Sequence, residues 1–176
     1  MTTSAGAAPE FSRMIDLRSI PARAVVLEPD EAERRRLAGR FAIAEIRAMR
    51  AEVELEPEGA EVTATGRLTA SIVQSCAVSG EPIEAEIDEP VFVRFVPARH
   101  DHKPDEEIEL EAGELDEIEY EGTAFDLGEA IAQSLALAID PFATGPDAET
   151  VRKEHKLHGD AASGPFAALA AFKKGG

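Results

Sequence analysis

The sequence predicts an α+β domain: a twisted antiparallel β-sheet, or a partly closed barrel, packed by one main and one short helix. Three observations lead there. Long stretches between Ala51 and Pro97 alternate apolar and polar side chains with period two, which marks antiparallel strands with one wet face. One stripe at helical spacing (Leu127, Ile131, Leu135 and Ala138) follows a helix-start pattern. The chain has 176 residues, 44% of them hydrophobic, enough for one core. With aromatics at 5% and no Trp, that core is built from Val, Ile, Leu and Ala.

Residues 1–12 are small, polar and without periodicity, and are expected to form a flexible tail. The domain is expected over 13–140, with a C-terminal tail over 141–176. Short strands are expected at 13–17 and 24–27, separated by Pro21, which lacks an N–H and restricts the residue before it. In PDEAERRRLAG, Asp30 and Glu33 have capping-box spacing and Gly39 suits the stop, so a helix of two to three turns follows. Ala51, Val53 and Leu55 then alternate with Glu52, Glu54 and Glu56. After the turn PEGA, Val62, Ala64, Leu68, Ala70 and Ile72 alternate with Thr63, Thr65, Arg67, Thr69 and Ser71. Gly80 and Pro82 punctuate the break after Cys76. EPIEAEIDEPVFVRFVP returns as a third strand of a meander, with Pro90 signalling an edge or a bulge.

An acidic loop is expected at about 97–117, because its carboxylates cannot bury themselves. EIEYEG reads as one more short edge strand. In FDLGEAIAQSLALAID, Asp126 caps the main helix, Glu129 stands at the second capping-box position, and Asp140-Pro141 ends it. The rest of 141–165 reads as loop. PFAALAAFKK then forms a short amphipathic helix with Phe166, Leu169 and Phe172 on one stripe and Pro165 at its first position. That stripe fits either its own sheet or a partner's groove.

The net charge of -17 is uneven. Residues 1–50 carry +2 and 151–176 carry +3, whereas 51–129 carry -19. An acidic surface repels phosphate backbones and attracts basic proteins, which argues against broad binding to naked nucleic acid. The main basic feature is Arg34, Arg35, Arg36 and Arg40, with Arg47 and Arg50 beyond. As a plain surface helix it pairs with Glu31 and Glu33. As a contact site it offers guanidinium groups to RNA phosphate.

A single Cys excludes an internal disulfide. The first thirteen residues lack the basic-then-apolar order of a signal peptide, and the apolar runs are too short to span a bilayer, so a cytoplasmic location is expected. Cys76 lies in an acidic neighbourhood without a nearby base, so it reads as a small buried residue and not a nucleophile. His100, Asp101 and His102, with Asp105 and Glu106, and separately His155 and His158, lack strong metal-ligand spacing. No Gly-rich phosphate loop, Gly-x-Ser-x-Gly or Ser/His/Asp set is visible, which leaves a small hydrolase or thiol enzyme without its machinery. No catalytic residue, metal or cofactor is expected, and no membrane or small-molecule partner.

The order of three pieces resembles the YceD-like family, also described as large ribosomal RNA subunit accumulation protein. They are the stretch around Cys76 with the following Glu-Pro (SCAVSGEP), the Asp-Leu-Gly-Glu helix start and the terminal Pro-Phe-Ala-x-Leu, over residues 12–172. The resemblance implies a bacterial, non-enzymatic ribosome-biogenesis factor needed for normal levels of large-subunit ribosomal RNA. It would act by binding that RNA or a pre-ribosomal particle. The alternative is an acidic holder for a basic ribosomal protein. Many family members carry Cys-x-x-Cys where this chain has Cys76-Ala-Val-Ser79, so a family zinc site is expected to be absent here.

Overall fold

The computed structural model describes residues 9–98 and 116–154, and its first elements are β1 (Met14–Asp16), a 3-10 turn (Leu17–Ser19), β2 (Val25–Leu27) and α1 (Glu31–Arg40). Three long strands follow: β3 (Glu45–Glu58), β4 (Glu61–Ser75) and β5 (Pro82–Pro97). Then come β6 (Asp116–Tyr120), β7 (Ala124–Asp126), α2 (Leu127–Ala138) and α3 (Ala148–Glu154). An open five-stranded sheet has the order β2-β3-β4-β5-β6, and β1 pairs separately with β7. The fold is α+β, as expected, and the sheet does not close into a barrel.

Alternation fixes which face is buried. Ala51, Val53 and Leu55 on β3, and Val62, Ala64, Leu68, Ala70 and Ile72 on β4, all lie in the core, as their period-two spacing predicts. The two strands pair antiparallel from Glu58↔Glu61 to Glu45↔Val73. One irregularity falls between Ile46 and Ala48, where Ile46 faces Ile72 and Ala48 faces Ser71. Arg47 is the extra residue, and such a bulge shifts the alternation by one position. This is why buried residues are even-numbered before it (Ile46) and odd-numbered after it (Met49, Ala51, Val53).

The meander reading stops at β5. β6 pairs with β5 in parallel, with Val93↔Asp116 and Pro97↔Tyr120, so one edge of the expected antiparallel sheet is mixed. EIEYEG is the edge strand expected. Its start at Asp116 and the end of β5 at Pro97 set the ends of the acidic connection. The rest of that connection lies outside the described residues. Tyr120 turns inward, donates its hydroxyl to the carbonyl of Ala60, and lies 6.3 Å from Phe125. Phe125 stacks on Phe95 at 4.1 Å between centroids.

On α1 the capping box forms as the spacing predicts. Asp30 accepts from the Glu33 N–H at 2.8 Å, and Glu33 accepts from the Asp30 N–H at 2.8 Å. The stop differs. Gly39 is helical, the helix runs to Arg40, and Ala42 takes the left-handed conformation at φ 54°. The apolar stripe of α2 is buried at Leu127, Ile131 and Leu135.

Residues group into two compact units, Met1–Gln74 with Glu84–Pro141, and Ser75–Ile83 with Phe142–Gly176. Phe11 is fully buried, so the ordered chain starts before residue 13. Helix α3 occupies Ala148–Glu154, where the sequence reads as loop.

Candidate functional site

The Asp-Leu-Gly-Glu start of α2 is a structural latch. Asp126 accepts hydrogen bonds from the Ser12 hydroxyl (2.6 Å), the Arg13 N–H (2.8 Å) and the Glu129 N–H (3.1 Å). The Leu127 N–H donates to the Arg13 carbonyl at 3.0 Å. Gly128 permits this approach, because a Cβ there would stand 2.7 Å from the Arg13 nitrogen and 2.9 Å from the Ser12 carbonyl carbon. Only half of the capping box expected at Asp126 forms. The Glu129 side chain instead takes a bidentate pair from Arg40, at 2.7 and 2.8 Å. Arg13 makes a second bidentate pair with Glu33, at 2.8 and 2.9 Å, and its guanidinium lies 4.5 Å from the Phe11 ring centre. Sequence reasoning assigned Arg13 no role. Its partners lie twenty and more than a hundred positions away, and no local pattern encodes that.

These pairs predict an acid-sensitive fold. Hydrogen bonds from Arg13 hold the Glu33 carboxyl below its ordinary value of 4.5, and Arg40 does the same for Glu129. A carboxylate whose folded pKa is lowered stabilises the fold fully above its ordinary value and loses that contribution as pH falls through the lowered one. The melting temperature should therefore fall below about pH 4.5 as these two pairs are lost. Glu129→Gln should lower it at neutral pH and lessen the acid-induced fall. Melts at a series of pH values check both.

The four arginines proposed as a partner contact all lie on α1, in different circumstances. Arg40 is committed to Glu129 and, at 3.4 Å, to Glu10. Arg35 pairs with Glu31 one turn back at 2.8 Å. Arg34 donates to the Pro29 carbonyl (2.9 Å) and Arg36 to the Glu10 carbonyl (3.3 Å), so neither makes an ion pair among the described residues. Beside them lies a groove of about 390 Å³. Ala38, Ile43 and Ile46 contribute apolar surface to it, and Arg34, Arg35 and the bulged Arg47 line it together with Glu31 and Glu45. Arg47 and Arg50, the other two arginines of the basic stretch, are bound to Glu84 and Glu28. Phe166, Leu169 and Phe172 lie outside the described residues, as do His100, Asp101, His102, Asp105, Glu106, His155 and His158.

Cys76 sits in the smaller unit and is 3% exposed. Its sulfur accepts from the N–H groups of Ser79 (3.4 Å) and Gly145 (3.3 Å), while its carbonyl accepts from the Gly80 N–H at 2.9 Å. The Ser79 hydroxyl, followed by the N–H groups of Ser79, Gly145 and Val78, brings the thiol down to about 6. The buried position is the one expected. Its role as an acceptor organising the turn is not, because a sulfur's partners cannot be read from spacing. Burial shields the sulfur, so iodoacetamide should modify the folded chain far more slowly than the urea-unfolded one. Equal rates, followed by intact mass, would place Cys76 at the surface.

The face of the large sheet opposite the core is acidic. Glu52, Glu54, Glu56 and Glu58 stand exposed on β3, and Glu84, Glu86 and Asp88 on β5. On β4 between them, Arg67 pairs with Asp88 at 2.5 Å and the Ser71 hydroxyl donates to Glu86 at 2.7 Å. Among the described residues, no group of three or more His, Cys, Asp or Glu could hold a metal ion, and no helix is long and apolar enough to cross a membrane.

No curated protein and no solved structure matches this chain. The family model described as large ribosomal RNA subunit accumulation protein YceD matches residues 64–173. That span takes in most of β4, the Cys76 turn, β5, β6 and the Asp126 latch, and leaves out α1. A match over more than half of the sequence, in the piece order already noted, makes this chain a member of the YceD family.

Proposed function

We propose that this chain is a cytoplasmic binding factor, not an enzyme, that supports accumulation of large-subunit ribosomal RNA by engaging the RNA in a pre-ribosomal particle through the outer face of α1. The family supplies the link to large-subunit RNA. The observation that carries the contact is the state of Arg34 and Arg36. Backbone carbonyls satisfy some of their donors without cancelling their charge, which leaves both cations available to phosphate, with Arg34 also lining the groove. Binding in place of catalysis is supported by the burial of Cys76 and by the engagement of Glu33, Glu129 and Asp126 in the latch.

Capture of RNA and protein from a cell lysate tests this. The full chain should recover large-subunit RNA in a salt-sensitive manner, and Arg34→Ala with Arg36→Ala should reduce the recovery. Recovery of ribosomal proteins that survives nuclease and ignores both substitutions would overturn it.

A second reading, an acidic holder for a basic ribosomal protein, draws on a different observation. The family match includes the acidic strands β5 and β6 and excludes α1. Under that reading nuclease leaves the recovered protein in place.

A further inference from the structure

Among the described residues, one side of β5 has no neighbouring strand over most of its length. β6 pairs with it only from Val93 to Pro97, so among the described residues Glu84–Phe92 has β4 on one side and no strand on the other. Such an edge offers alternate N–H and C=O groups to solvent and is a template for an added strand. Pro90 is compatible with this position, since a residue without an N–H is tolerated where one side of the ladder is unpaired.

The side chains of this edge select its occupant. Glu84, Glu86, Asp88 and Glu89 are all exposed, and the stretch contains no Lys or Arg. The counter-charges on Glu84 and Asp88 come from Arg47 and Arg67, on the β3 and β4 side, and Glu89 makes no ion pair among the described residues. On the core-facing side Ala85 is only half-buried, and on the outer face Phe92 is 42% exposed, so an added strand has apolar surface to cover. A second copy presents the same carboxylates and is repelled. The chain's own residues 99–115 have seven carboxylates against Arg99 and Lys103, which is also the wrong sign.

We infer that the Glu84–Phe92 edge docks an extended, lysine- or arginine-rich segment of a protein partner as an added strand. Backbone pairing supplies the fit and the carboxylates supply the selection. This rests on the reading of the chain as a binding factor for a basic protein, and is independent of whether α1 takes RNA.

Hydrogen exchange on the full chain tests it, with two probes: a peptide alternating lysine with valine, and the same peptide with glutamate for lysine. In the free chain, amides within Glu84–Phe92 should exchange faster than those of β4. The lysine peptide should protect them, and the glutamate peptide should not. Glu86→Lys with Glu89→Lys should weaken the lysine peptide by about tenfold or more, with the loss concentrated in its association rate. Arg34→Ala with Arg36→Ala should leave this protection unchanged, so failure of the RNA reading and failure of this one are separable. Three results would overturn the proposal: protection of the edge already present in the free chain, whether from its own residues or from dimers seen by light scattering; binding of the lysine peptide with no protection at Glu84–Phe92; and equal binding of both peptides.

Discussion

Leu135→Asp should abolish the cooperative thermal melt. Leu135 is fully buried in the middle of α2, within the same apolar cluster as Ile131, Phe125 and Phe95. The substitution removes a core side chain and leaves an unpaired carboxylate in its place. Such a charge costs roughly 3–5 kcal/mol, and the lost packing costs about 2–5 kcal/mol more. A typical domain has a margin of only about 5–15 kcal/mol, so most of it disappears. Two positions further on, Leu137 is 78% exposed. Leu137→Asp should therefore shift stability by no more than about 0.5 kcal/mol. Similar melts for the two variants would refute this placement of α2.

Gly66→Val should rank next. Gly66 lies opposite Val53 in the β3–β4 ladder. A Cβ built there would stand 2.0 Å from the Glu52 carbonyl oxygen and 2.8 Å from the Val53 Cα. Both obstacles are backbone, so no rotamer change relieves them and the two strands must separate. Overpacking of this kind costs about 1–3 kcal/mol in a core, and broken ladder hydrogen bonds add to it. Gly39→Ala is the contrast: that glycine sits inside α1 with open space where the Cβ would go. There the change should stabilise by about 0.5–1 kcal/mol through helix propensity. Denaturant midpoints for the two variants should move in opposite directions. A Gly66→Val midpoint at or above the parent's would show that β3 and β4 do not approach as closely as described.

What was legible in the sequence follows from the range of the interactions involved. The alternation in β3 and β4, the capping box of α1 and the buried stripe of α2 are local patterns, and each emerged as its spacing indicates. The Arg47 bulge was not visible, because a one-residue shift leaves only a change of parity between Ile46 and Met49. The parallel pairing of β6 depends on a partner across a long connection, which periodicity does not encode. At the candidate site, the arginines of α1 were found by composition, but their partners were not. That Arg40 is spent on Glu129 while Arg34 meets only a carbonyl is set by tertiary neighbours. The Asp-Leu-Gly-Glu pattern carried a second signal, since a glycine in the first turn of an apolar helix marks close backbone contact as well as a helix start.

The latch has a consequence for the order in which the chain assembles during synthesis. The turn joining β3 to β4 spans only Gly59 and Ala60, so that hairpin closes a small loop and can form as soon as both strands are made. The Ser12–Asp126 contact spans 114 positions. Phe11, Ser12 and Arg13 precede the large sheet in the chain, yet their acceptor, and the glycine that lets them approach it, emerge only after that sheet has been made. Until then Phe11 has no α2 terminus to pack beside, and its apolar ring stays open to whatever else is at hand on the nascent chain. Closure of the latch is thus a late, non-local step that reports completion of the domain. A chain truncated before Asp126 would keep its hairpin and leave its N-terminal segment unanchored.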